Sequence, residues 1–270
     1  MKKNINTPDG AINYFILGNR NSSAKYLILA GKHGNEPESV VMAEEYIMPY
    51  LRKNNYFGKF FIILPNLNPL QIGRCLEAIE TNQSFEHCRR FRLNKNKIDL
   101  NADYPTKNSD TPSLRAEQTK LVISLHEEYN FDLILDFHTN GASHMNIYKY
   151  DNEVGRYLAR GMNRINSVVA RDYVHHKNKG VALSGTSGTY FGKERNVPII
   201  TVELGARKYI KRPFNEHCQN LWDLHKPALR YLFADVMPDE NDEDYQDYVR
   251  CLGEEDDDGD GCGTNGISAT

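Results

Sequence analysis

Four short runs, residues 25–30, 60–64, 132–138 and 198–203, are dominated by apolar side chains rather than alternating strictly with polar ones. That is the pattern of strands covered on both faces of a parallel sheet. A further strand is predicted over residues 11–17, joined to the first run by a polar turn around Asn19 to Ser23. From Pro37 to about Lys53 the apolar positions Val40, Val41, Ala43, Tyr46, Ile47 and Leu51 have helical spacing. Pro65-Asn66-Leu67-Asn68-Pro69 must be loop, and residues 70–112 read as a long irregular excursion rich in Asn, Arg and Lys. A helix is expected from Ser113, its N-cap, to about Tyr129. A short strand over 145–150, a helix over 152–170, a Gly/Ser/Thr-rich loop over 177–192 and a last helix over 215–233 complete the reading. The alternation predicts an α/β fold: one domain, residues 1–237, with a mixed, mostly parallel twisted sheet and helices on both faces.

Charge changes this picture at the C-terminal end. Residues 238–270 hold twelve Asp/Glu and one Arg, for −11, so the remainder of a chain with net charge −3 carries +8. The tail is poor in large apolar residues and is expected to be disordered. A basic body suits an anionic substrate. It does not suggest nucleic acid, because no basic stripe interleaved with aromatic residues accompanies it. No apolar run approaches the roughly 20 residues of a membrane helix, and the start lacks a signal-peptide core, so a cytoplasmic protein with no membrane partner is expected. Five scattered cysteines without a CxxC do not form a disulfide framework, although Cys75 and Cys88 could pair in an oxidising compartment.

Three of the apolar runs end in reactive residues. The first leads into Gly31-Lys32-His33-Gly34-Asn35-Glu36-Pro37, the third ends in Asp136-Phe137-His138, and the fourth ends in Glu203. Open α/β sheets gather ligands at the carboxyl ends of their strands. His33, Glu36 and His138 make a two-histidine, one-carboxylate set of the kind that holds one Zn2+ and leaves a position open for water. Asp136 is a candidate to orient a ligand imidazole, the alternative being a residue that merely shares the face of His138.

His33-Gly-Asn-Glu36, Ile98-Asp99-Leu-Asn101, Asp136-Phe-His138 and Thr201-Val-Glu203-Leu-Gly, in this order, resemble the zinc carboxypeptidase superfamily over residues 25–205. Arg92-Leu-Asn94-Lys-Asn96-Lys-Ile-Asp99-Leu-Asn101, Tyr104-Pro105 and Gly185-Thr-Ser-Gly-Thr-Tyr190-Phe-Gly direct the resemblance first to murein peptide amidases and related carboxypeptidases. The aspartoacylase/succinylglutamate desuccinylase branch shares the same His-Gly-Asn-Glu and is the alternative. The resemblance implies hydrolysis of an amide bond in a small carboxylate-bearing peptide or, in the second branch, an N-acyl amino acid. Glu203 would assist attack by a zinc-bound water, Arg92 would stabilise the oxyanion, and Asn101 and Tyr190 would bind substrate.

Two departures bear on specificity. Ala102 stands where the superfamily usually carries an Arg that grips the substrate's terminal carboxylate, with Arg89, Arg90, Lys95, Lys97 and Arg115 as possible substitutes. A Tyr expected ahead of the catalytic Glu is also missing, with Tyr173, Lys177 and Lys179 nearest the gap. Together these leave room for a third reading, a binding protein on a retired peptidase scaffold.

Overall fold

Strands that are apolar on both faces need cover on both faces, and the sheet at the centre of the molecule is built on that requirement. The computed structural model describes residues 1–83, 85–107, 114–140, 144–148, 174–175, 185–205 and 213–234. Its strands are β1 (Lys2–Thr7), β2 (Gly10–Leu17), β3 (Lys25–Leu29), β4 (Phe60–Leu64), β5 (Leu133–Asn140), β6 (His144–Tyr148), β7 (Val174–His175) and β8 (Ile199–Gly205). They form one 8-stranded sheet in the order β1-β2-β4-β3-β5-β8-β6-β7. The central four, β4, β3, β5 and β8, are mutually parallel, while β2 joins β4 and β6 joins β8 antiparallel. Among the described residues β1 is an outer strand, paired through β2 alone, and its side chains are largely exposed.

The period of two divides the core cleanly. Tyr26, Ile28, Phe61, Ile63, Leu135 and Phe137 face one side. Leu27, Leu29, Phe60, Ile62, Leu64 and Ile134 face the other. The first side is covered by helix α1, built of three consecutive helical stretches (Pro37–Val41, Met42–Ile47 with π-type bonding, Met48–Lys53), and by α6 (Phe214–Ala234). The second is covered by α4 (Glu117–Tyr129) and α5 (Gly188–Glu194). Two further helices, α2 (Pro69–Glu80) and α3 (Phe85–Arg89), lie between β4 and α4 in sequence.

The expected excursion over residues 70–112 is therefore helical in its first half. Pro69 sits in the first turn of α2, and Ile72, Cys75 and Ala78 give it a narrow buried stripe of mostly small residues. Cys75 and Cys88 are buried together in a small cluster with Phe91, as thiols rather than a disulfide. The helix expected from Ser113 begins at Glu117 after Ala116. Its entry is fixed from a distance, since the Asp103 carboxylate accepts hydrogen bonds from the backbone N–H groups of Arg115 (3.1 Å) and Ala116 (2.9 Å). The Gly-rich loop expected over 177–192 contains the start of α5, because burial of Tyr190 and Phe191 overrides low helix propensity. Ser113, the helix expected over 152–170 and the acidic segment 238–270 lie outside the described residues.

The turn from β3 into α1 is tied on all sides. Gly31 adopts a φ of 65° and donates its N–H to Ser39 Oγ (3.1 Å), which in turn donates to the Glu36 carbonyl (2.7 Å). Gly34 donates to the Arg92 carbonyl (3.1 Å), and a Cβ at Gly34 would stand 2.2 Å from Gln71 Cβ and 2.3 Å from the Phe91 carbonyl oxygen. The carbonyl is backbone and cannot rotate away. Gly34→Ala is expected to lower stability by about 1–3 kcal/mol, read as a lower midpoint in thermal unfolding. An unchanged midpoint would show that the turn yields more easily than its packing implies.

Candidate metal centre and the residues around it

β3, β5 and β8 are neighbours in the sheet, so their carboxyl ends bring three sequence-distant segments together. His33 and Glu36 come from the turn after β3, while His138 and Glu203 are register partners on β5 and β8. His33 Nδ1 lies 2.8 Å from Glu36 Oε1, His138 Nδ1 lies 3.1 Å from Glu36 Oε2, and the two Nδ1 atoms are 3.2 Å apart. All three residues are buried, and they form a group able to hold a metal ion. A tetrahedral ion at ~2.0–2.1 Å from its ligands sets ligand-to-ligand edges of roughly 3.3–3.4 Å. The spacings here lie at or just inside that edge, so the donor set fits a small divalent cation.

Each imidazole is backed by a carboxylate on its far nitrogen. His33 Nε2 is 3.0 Å from Asp99 Oδ1, and His138 Nε2 is 3.3 Å from Asp136 Oδ1. Such partners fix the ring orientation and leave Nδ1 of both histidines facing the centre. Asp136 thus stands at ion-pair distance from the His138 ring. Asp99, read from sequence only as part of a motif, does the same for the other ring.

The centre favours positive charge. Burial pushes the Glu36 carboxyl up, but His33 and His138 outweigh it and hold it well below the usual carboxylate range. Burial pulls His138 down, but Asp136 and Glu36 prevail and raise it to about 10. With its pKa raised, His138 holds a proton near neutrality that a bound divalent ion would displace, so affinity should rise with pH. Calorimetric titration with Zn2+ in buffers of different ionisation enthalpy, at about pH 7, should show roughly one proton released per ion. Release of none would show that His138 is already neutral before the ion binds.

Around this group the remaining candidates divide. Arg92 is 46% exposed and leans over the rim, with Nη1 3.5 Å from Glu36 Oε1 and Nη2 3.2 Å from Asp99 Oδ2. Glu203 stands beside His138, partly buried, and burial pushes its pKa up, with His138 opposing. Asn101 donates its backbone N–H to Asp99 Oδ1 (2.9 Å) and so lies next to the His33 support. Tyr190 is not brought to the group. It is 3% exposed, packs on Tyr104 and Phe191, and its hydroxyl accepts a hydrogen bond from Arg195 (2.7 Å). Among the basic residues weighed against Ala102, Arg115 is tied to this segment through Asp103 (3.5 Å), whereas Arg89 pairs with Glu86 at the surface. Tyr173, Lys177 and Lys179 lie outside the described residues.

One participant had no sequence signal at all. Lys32, between Gly31 and His33, is 1% exposed, with Nζ 2.5 Å from Asp136 Oδ2, 3.4 Å from Asn101 Oδ1 and 5.1 Å from the centre of the Tyr104 ring. Burial pulls its pKa down and Asp136 pulls it back up. Asp136 is fully buried; burial alone would raise its pKa, but Lys32 and His138 hold it below the usual carboxylate range.

Fold and site together define an α/β protein of the carboxypeptidase fold with a candidate two-histidine, one-carboxylate metal centre. The chain belongs to the succinylglutamate desuccinylase/aspartoacylase catalytic domain family, which it matches over residues 22–224. That family is the second of the two branches weighed from sequence. Among solved structures, the chain is similar to thrombin-activatable fibrinolysis inhibitor (15% identity, 88% of this chain and 70% of that one, TM-score 0.61). It is also similar to the bovine form of that protein in complex with tick carboxypeptidase inhibitor (13% identity, 93% and 91% covered, TM-score 0.58). A candidate metallopeptidase of Shewanella amazonensis SB2B gives 11% identity, 87% and 88% covered, and a TM-score of 0.57. At these identities the likeness is one of fold. A search of curated proteins gave no match. Among the described residues, no helix is long and apolar enough to cross a membrane.

Proposed function

We propose that this protein is a zinc-dependent amidohydrolase that removes the acyl group from a small N-acylated amino acid carrying a carboxylate. The observation that supports this most directly is the convergence of His33, Glu36 and His138, each imidazole backed by its own carboxylate, with Glu203 alongside in a chain of this family. A Zn2+ ion held by these three side chains would acidify a water molecule and polarise the scissile carbonyl.

The chain's own residues supply the rest. Glu203, whose pKa burial raises, takes the proton of the attacking water and passes it to the leaving amine. Arg92, half-exposed and held by Asp99 and Glu36, presents its guanidinium to the negative charge that develops on the carbonyl oxygen. Asn101 binds a carboxylate or carbonyl of the substrate. Tyr190 contributes at one remove, by backing the ring of Tyr104.

The test is cleavage of a mixed panel by Zn2+-loaded protein, read by mass spectrometry. N-acetyl- and N-succinyl-amino acids are set against murein peptides and against peptides with free or blocked C-termini. Release of acetate or succinate is the expected result. Loss of a terminal residue from a peptide would move the protein to the carboxypeptidase-type reading of the same centre. No cleavage with metal bound would favour a binding protein.

A further inference from the structure

Behind the metal group, four polar side chains from four separate segments meet, with Lys32, Asp136 and Ser187 buried and Asn101 partly so. Lys32 comes from the turn after β3, Asn101 from the segment before Asp103, Asp136 from β5, and Ser187 from the residue preceding α5. Two are donors facing two acceptors. Lys32 Nζ reaches Asp136 Oδ2 (2.5 Å) and Asn101 Oδ1 (3.4 Å), and Ser187 Oγ reaches the same two atoms at 2.8 Å and 2.9 Å.

We infer that Lys32 and Ser187 are positioning residues that lock the Asn101 side-chain amide in one orientation, making it a fixed hydrogen-bond donor to an acceptor group on the substrate. The inference rests on the placement of Asn101 at the substrate under the proposed function. It follows from what each group can do. An ammonium has three donors and no acceptor, so only the oxygen of an amide can face it. Both donors, the ammonium of Lys32 and the hydroxyl of Ser187, lie within reach of Asn101 Oδ1 as well as of Asp136 Oδ2, so the amide oxygen is the atom that suits this side of Asn101. A flipped amide would set its NH2 against the ammonium and give up the Ser187 hydroxyl to Asp136 alone. The Nδ2 hydrogens therefore point away from the network, on a residue whose own N–H holds the Asp99 carboxylate beside His33. A substrate oxygen is welcome there and a substrate ammonium is not. Asp136 belongs to both halves of the site, since its other oxygen faces His138. Lys32 thus joins the orientation of a metal-facing imidazole to the orientation of a substrate-facing amide.

Two measurements test this. In protein labelled with 15N at asparagine, the Asn101 side-chain NH2 signals are assigned by their loss in Asn101→Ala. They should form one sharp pair that shifts or broadens in both Ser187→Ala and Lys32→Gln, while signals remote from the site stay in place. This readout needs no substrate, so it stands even if the panel shows no cleavage and the proposed function fails. With a substrate that the wild type cleaves, Ser187→Ala should raise KM about tenfold, the worth of roughly one hydrogen bond, with a much smaller change in kcat, while Lys32→Gln should raise KM similarly and also lower kcat through Asp136 and His138. In an Asn101→Ala background the same changes should leave KM nearly unaltered. Ser187→Ala, which leaves the Lys32–Asp136 pair intact, guards against a Lys32→Gln chain that fails to fold. An Asn101 pair unmoved in Ser187→Ala, or equal KM factors with and without Asn101, would overturn the inference.

Discussion

Glu203→Gln is expected to lower kcat for amide cleavage by about 10²–10⁴-fold, the usual worth of a positioned general base, with bound metal unchanged. Glutamine keeps the shape and most of the packing of the side chain and loses only the ability to take a proton. The register of β5 and β8 places Glu203 next to His138, so the base stands beside the metal-binding group without belonging to it. Steady-state kinetics together with metal analysis separates the two roles. Cleavage at the wild-type rate would remove Glu203 from the mechanism, and loss of metal would make it a ligand.

His33→Ala is expected to have the largest effect on metal binding. It removes one of three facing donors and also frees Asp99 and Glu36 from their partner. Asp99→Asn provides the scale. It leaves all three donors in place and weakens the support of the His33 ring together with the hold on Arg92, and loss of such ring support typically costs about 10–100-fold in metal affinity. The His33 variant should exceed that range in competition with a chromophoric chelator for Zn2+. Equal affinities for the two variants would mean that His33 supports the site without binding the ion. Full occupancy in both would place the metal elsewhere.

The sequence was most legible where residue type and local position carried the same message. The apolar runs of β3, β4, β5 and β8 are explained by burial on both faces of a parallel sheet, and three of them end in His or Glu at the point where such sheets bind ligands. What the sequence hid depended on distant partners. α2 was missed because its inward stripe is built from Ile72, Cys75 and Ala78 around an exposed Gly73, too small a signal for a helix. The start of α4 was set too early because its entry is held by Asp103 rather than by a residue next to it. Lys32 carries no signal in the sequence because a lysine in a Gly-containing turn normally faces water. Only the meeting of Asp136, Asn101 and Ser187 around it makes burial tolerable.

The outer strand β1 has a bearing on how the protein behaves at high concentration. An unpaired strand edge is a template on which a second chain can grow, and this one begins with Lys2, Lys3 and Asn4, all exposed. Two adjacent like charges repel an incoming copy of the same strand, and Asn4 offers it little apolar surface. The first few residues thus act as a guard against edge-to-edge aggregation. Exchanging Lys2 and Lys3 for β-branched apolar residues in an expression variant would remove that guard, although neither lysine lies among the residues of the metal centre.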